Sequence, residues 1–143
     1  MLKPSRPYII KALYEWLLDN DLTPHLVVNA EEDNVTVPTQ FVDEGQIVLN
    51  INPSAVRDFY MDNEAVSFNA RFSGQPMDIY VPMRAIMAIY ARENGQGMGF
   101  GSEPGIEFYL QEPAESGVQE EKDEQVEAKE KPAVKKPALK VVK

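Results

Sequence analysis

A single histidine, His25, and no cysteine limit the chemistry open to this 143-residue chain. One imidazole serves a triad, a metal site or a proton relay only with partners, and the run Thr23-Pro24-His25-Leu26-Val27-Val28 supplies no nucleophile or second ligand. That run opens a strand, where a hydrogen-bonded structural histidine is expected. Asp19 and Asp21 are the nearest thing to a carboxylate pair, but they flank Asn20 at a helix end, where short polar side chains bond the turn backbone. The acidic turn Glu31-Glu32-Asp33 lacks the ligand spacing of a calcium loop. Gly95, Gly97, Gly99 and Gly101 alternate in a way that suggests a phosphate loop. Phosphate loops, however, follow a strand, open a helix and carry Lys-Ser or Lys-Thr. Here the glycines follow an expected helix, and the reading is a mobile connection. Without thiolates there is no disulfide, thiol nucleophile or cysteine-based zinc site. These residues point to a non-catalytic protein with no cofactor and no metal.

Charge narrows the partners. The chain carries 14 Lys and Arg against 23 Asp and Glu, a net of −9. Up to Leu110 there are 7 basic and 15 acidic residues, a net of −8. A body this acidic repels phosphate backbones and attracts basic or mixed-charge partners. The start, MLKPSRPYII, lacks the pattern of a signal peptide, and no apolar stretch approaches the ~20 residues that span a bilayer. A cytoplasmic protein without a membrane partner is expected.

The elements that would position a site come next. Pro7 to Asp19 reads as a helix, with Pro7 at the first helical position, where its missing N–H costs nothing. Ile9, Leu13, Trp16 and Leu17 make one apolar stripe, while Tyr8, Ile10, Ala12, Tyr14 and Leu18 cover much of the rest. A helix apolar nearly all round is buried on more than one side. Either loops cover the second face or a second copy does. A symmetric homodimer through Tyr8, Ile10, Tyr14 and Leu18 is the expectation. Short strands follow at His25–Val28, Val35–Val37, Phe41–Val42 and Gln46–Ile51, the last nearly continuous in apolar residues and so expected at the centre of a sheet. Ser54 to Tyr60 is ambiguous between strand and a helical turn. Val66, Phe68, Ala70 and Phe72 alternate with polar residues, and Met77, Ile79 and Val81 return after Ser73-Gly74-Gln75-Pro76. Met83 to Arg92 is expected as a short helix. The whole reads as mostly β with flanking α-helices, in a small barrel or two packed sheets over residues 1–110.

From Gln111 aromatic residues cease and Glu, Lys, Pro and Ala dominate. Such a segment buries too little apolar surface to offset its ordering entropy, so residues 111–138 are expected to be a flexible linker. Its 28 residues would reach on the order of 30 Å r.m.s.. The charge is segregated: 8 acids and 2 Lys lie in 111–130, then 5 Lys and no acids in 131–143. The chain ends in Leu139-Lys140-Val141-Val142-Lys143, aliphatics with no core of their own to join. A small β domain offering a groove or sheet edge to an extended peptide, joined to a terminal docking segment, makes an adaptor.

Several blocks in order then become specific: Arg6-Pro7-Tyr8, Glu15-Trp16-Leu17, Leu22 to Val28, Gly45 to Asn50, Phe68 to Phe72 and Ala88 to Gly95. With the terminal Leu139–Lys143 they resemble the SspB (stringent starvation protein B) family. The resemblance implies a Sm-like two-sheet fold, dimeric through its first helix. It implies an adaptor for the ClpXP protease that binds the ssrA tag on stalled nascent chains, along with some untagged cargo. It places Ala70 in the tag groove, where a small residue lets a peptide backbone approach. Asn69, Arg71 and Phe72 stand beside it, with Leu49 and Asn50 on a strand expected to adjoin. Leu139, Lys140, Val141, Val142 and Lys143 are implied to dock on the zinc-binding N-terminal domain of ClpX, the zinc being the partner's. Lys140 stands where the family commonly has arginine, so the charge is kept and the bidentate fork is lost. The Sm-like fold also raises RNA binding as the alternative. The body's charge, and the lack of interleaved basic and aromatic residues, weigh against it.

Overall fold

The computed structural model describes residues 2–110. They form two compact units, Pro7–Phe100 and a smaller one joining residues 2–6 to 101–110. The expectations for the linker 111–138 and the docking peptide 139–143 lie outside the described residues.

The fold is mostly β with an N-terminal helix. Helix α1, Arg6–Asp19, begins one residue earlier than Pro7. Ile10 and Leu17, seven residues apart on one face, are its fully buried apolar side chains. Trp16, expected in that stripe, is 48% exposed. Asn20 caps the helix end by donating to the Trp16 carbonyl at 2.8 Å, and Asp21 turns the chain at φ 59°.

Strands β1 (Pro24–Asn29), β2 (Gln46–Asn50), β3 (Arg57–Met61), β4 (Ala65–Phe72), β5 (Gln75–Pro82), β6 (Ile86–Ala91) and β7 (Gly97–Gly99) form two antiparallel sheets. One has four strands in the order β2-β1-β6-β7, the other three in the order β3-β4-β5. Two hairpin turns fix register. Ser73 and Gly74, both at positive φ, join Phe72 to its partner Gln75; Glu44 and Gly45, likewise, join Asp43 to Gln46. Two consecutive left-handed residues match the natural twist of a hairpin. Leu26, Val28, Ile47, Leu49, Val66, Phe68, Ile79, Val81 and Ile89 carry the buried alternation of the strands.

Several sequence expectations are corrected. Gln46–Asn50 is an edge strand, exposed and buried in strict alternation, because its apolar run includes the outward Val48. Met83–Arg92 is a single 3₁₀ turn, Met83–Ala85, followed by β6 in the interior of the four-stranded sheet. The helix-like spacing of Ile86 and Ile89 has a local cause. A bulge sets Val27 opposite Ala88 but Val28 opposite Ile86, so Met87 is an extra residue that breaks the period of two. The glycine run contains β7, and a side chain at Gly97 would collide with the backbone of Ile89 and Tyr90. Within Ser54–Tyr60, Ser54 and Ala55 belong to a turn and β3 begins at Arg57. Val35–Val37 contributes one bridge, Thr36 to Tyr80, and Phe41 closes the 3₁₀ turn Thr39–Phe41.

In the smaller unit, residues 106–110 contain α2, Glu107–Leu110. Ser5 donates through its backbone N–H (3.2 Å) and its hydroxyl to the Pro104 carbonyl. Arg6 Nε meets Glu103 Oε2 at 2.8 Å, both side chains nearly buried, and the guanidinium lies 4.6 Å from the Tyr109 ring centre. Glu103 Oε1 also accepts from Gly101 N at 2.8 Å, so both carboxylate oxygens are engaged.

Candidate functional site

Asn69, Ala70, Arg71 and Phe72 lie on β4, the central strand of the three-stranded sheet. Leu49 and Asn50 lie on β2 in the other sheet, which corrects the expectation of adjoining strands. Period-two alternation sends Ala70 and Phe72 to the same side as the buried Phe68 and turns Asn69 and Arg71 the other way. Asn69 Nδ2 donates to Asp78 Oδ1 at 2.8 Å and Arg71 Nη1 to the Gly74 carbonyl at 2.8 Å, so both bond within their own hairpin. Leu49 is buried core and presents no surface.

Phe72 is where the two sheets contribute to one feature. Its ring meets that of Phe41 at 5.7 Å between centres, and the two line a concavity of about 390 Å³ with Asp43, Gln46, Ile47 and Val48. Of the six residues expected in the groove, Phe72 alone lines this concavity. The sequence reading missed Phe41 and Val48. Both are large apolar side chains left exposed, at 44% and 48%, beside a tight acidic turn. The concavity therefore brings residues of an edge strand together with two aromatic rings, an arrangement suited to holding an extended chain against apolar side chains.

His25 is placed by its strand partners, Asn50 on β2 and Tyr90 on β6. Its ring stands edge-on to Tyr90 at 5.7 Å. Contrary to the expected hydrogen-bonded histidine, its Nε2 is buried with no hydrogen-bond partner. Burial, and then the Arg92 charge, push its pKa below 6.5, with Glu93 opposing. Glu93 is held down to about 2 because Thr23 donates to its two oxygens, from the hydroxyl at 2.6 Å and the backbone N–H at 2.9 Å. Each of these contacts fixes a strand end; none activates a nucleophile. Among the described residues, no three His, Asp or Glu side chains cluster as a metal site would need. Nor is any helix among them long and apolar enough to cross a membrane.

The residues expected at a dimer contact separate. Ile10 is completely buried within the protomer and offers nothing to a partner, which corrects its assignment. Tyr14 is half-buried, stacked on Phe59 at 5.0 Å, and Leu18 is half-buried. Tyr8 is 51% exposed, and with Ala12 and Trp16 it makes an exposed i, i+4, i+8 stripe on α1. Its orientation is fixed by Asn63, whose Nδ2 donates to the Tyr8 hydroxyl at 3.2 Å while Lys11 Nζ donates to Asn63 Oδ1 at 2.7 Å.

Comparison with known proteins adds to this geometry. The family described as "SspB: Stringent starvation protein B" matches residues 4–143. The "Stringent starvation protein B homolog" of Haemophilus influenzae is 50% identical over 100 residues, 70% of this chain and 67% of that protein.

Proposed function

This chain belongs to the stringent starvation protein B family, and on that premise we propose that it is a non-catalytic cytoplasmic adaptor that holds ssrA-tagged proteins and delivers them to the ClpXP protease. The observation that carries the reading is the Phe41–Phe72 concavity beside the edge strand, a binding shape with no catalytic constellation around it. In this reading the tag peptide occupies that concavity, with Ala70 keeping the approach along β4 open. Residues 111–138 act as a tether, and Leu139 to Lys143 engage the N-terminal domain of ClpX. The exposed Tyr8–Ala12–Trp16 stripe is the self-association surface, which would double the number of tethers per assembly and add avidity. Tag affinity then comes from the body and delivery from the chain's end.

Fluorescence anisotropy tests the binding half directly. Labelled ssrA peptide is expected to bind, and single-stranded RNA of similar length is not. Phe41→Ala should weaken peptide binding by about tenfold or more, since a central aromatic contact carries ~1–2 kcal/mol or more. Because Phe41 is partly exposed, its thermal stability should change little. Tight RNA binding with no peptide binding would instead support an RNA-binding function.

A further inference from the structure

Hydrogen bonding along β2 shows which backbone groups of this edge are already used. Gly45 accepts from Ala30 at 2.8 Å, and Ile51 donates to Pro24 at 3.0 Å, so the odd-numbered residues 45 to 51 turn their backbone groups toward β1. The even-numbered residues therefore point the other way. Gln46 confirms the alternation: its N–H donates to the Asp43 carbonyl at 3.0 Å and its carbonyl accepts from Asp43 N–H at 2.8 Å. The next two rungs, Val48 and Asn50, face outward beyond the end of that short ladder, and no strand among the described residues pairs with them. Val48 also lines the concavity, together with Phe72.

The other sheet edges differ. The β5 edge is closed at Tyr80 by two hydrogen bonds with Thr36, at 2.8 and 3.1 Å. The β3 ladder is irregular between Arg57 and Tyr60, where Asp58 takes φ 56°. The β7 edge is three residues long. Bulges and short strands are the usual devices that stop an edge from recruiting another chain. Between Val48 and Asn50, β2 carries none of them and opens onto an apolar concavity.

We infer that this edge reads its ligand through the main chain: an extended peptide adds a fifth strand to the four-stranded sheet beside β2. Its backbone exchanges hydrogen bonds with Val48 and then Asn50, and an apolar side chain rests against Phe41 and Phe72. The inference rests on the proposed binding of the ssrA tag and specifies how that site would recognise it. Backbone pairing is indifferent to side-chain identity, so selectivity falls to the alternate ligand residues that face the two rings. The ligand class is thus an extended segment with at least one apolar residue and free N–H groups on the edge-facing side.

Amide hydrogen exchange on the full chain, with and without unlabelled ssrA peptide, tests this atom by atom. The Val48 and Asn50 amides should slow by about tenfold or more on peptide addition, while that of Gln46, already bonded to Asp43, changes least. Val48→Pro removes one outward N–H from an edge position, where proline is tolerated; it should cost roughly tenfold in affinity, and Val48→Thr much less. A peptide that binds while both amides exchange at their free rates overturns the added strand and leaves the adaptor reading standing. No peptide binding overturns both. The exchange result on the unsubstituted chain decides the matter even if Val48→Pro does not fold.

Discussion

His25 and Glu93 both make the folded chain sensitive to acid, through different causes. The imidazole is half-buried, with its Nε2 enclosed and unpartnered, so its folded pKa lies below 6.5 and the unfolded chain binds its proton first. The resulting stability is complete above pH 6.5 and is lost as pH falls through the folded value. Glu93 loses its contribution lower down, between 4.5 and about 2, as its carboxylate is protonated and the Thr23 bonds weaken. His25→Phe keeps a ring against Tyr90 and removes the titration. Thermal melts between about pH 5 and 7 should therefore show a slope in the unsubstituted chain and a flatter one in this variant. Thr23→Val should flatten only the more acidic segment. Equal slopes near pH 6 in both proteins would contradict the account of His25. At this scale the sequence was partly legible: a lone histidine in a strand reads as structural, but its missing partner depends on Asn50 and Tyr90, which only strand register brings alongside.

Among the elements, α1 and β4 were legible and β2 and β6 were not, for identifiable reasons. The β4 alternation is regular because its whole length pairs in unbroken register with β5. The period of β6 is interrupted by the bulge at Met87, and the remaining spacing imitates a helix. For β2, composition alone could not separate an edge from a centre, since Val48 is apolar and yet outward. The expected adjacency of β2 to β4 fails for the same reason. With β2 taken as neighbour to β4, Leu49 is placed facing the site, whereas the two strands sit in different sheets and both contribute to the concavity at Phe72. For α1, the apolar circumference was real, but Ile10 faces inward and Trp16 outward, so two of its residues exchange the sides expected of them. Trp16→Glu places a charge at one end of the exposed stripe, at its largest side chain. It should weaken self-association by about thirtyfold or more, corresponding to ~2 kcal/mol, without loss of fold. Sedimentation velocity at micromolar concentration measures this, and an unchanged sedimentation coefficient would remove α1 from the interface.

For the whole molecule the proposal separates two jobs. The body, net −8, carries the concavity and the proposed strand edge; the basic end, with 5 Lys after Glu130, carries delivery. Cutting Leu139–Lys143 should leave ssrA peptide affinity unchanged, because in this proposal the tag is held by the concavity that Phe41 and Phe72 line, and should abolish the gain in degradation. Linking by a tether raises local concentration, so its benefit is greatest when tagged substrate is scarce. The most direct test is therefore the rate at which ClpXP degrades an ssrA-tagged protein held well below its KM, with and without the full chain. The account predicts a severalfold faster rate with the chain present, shrinking toward none as substrate rises to saturation. A rate that stays the same, or slows, at limiting substrate would contradict it.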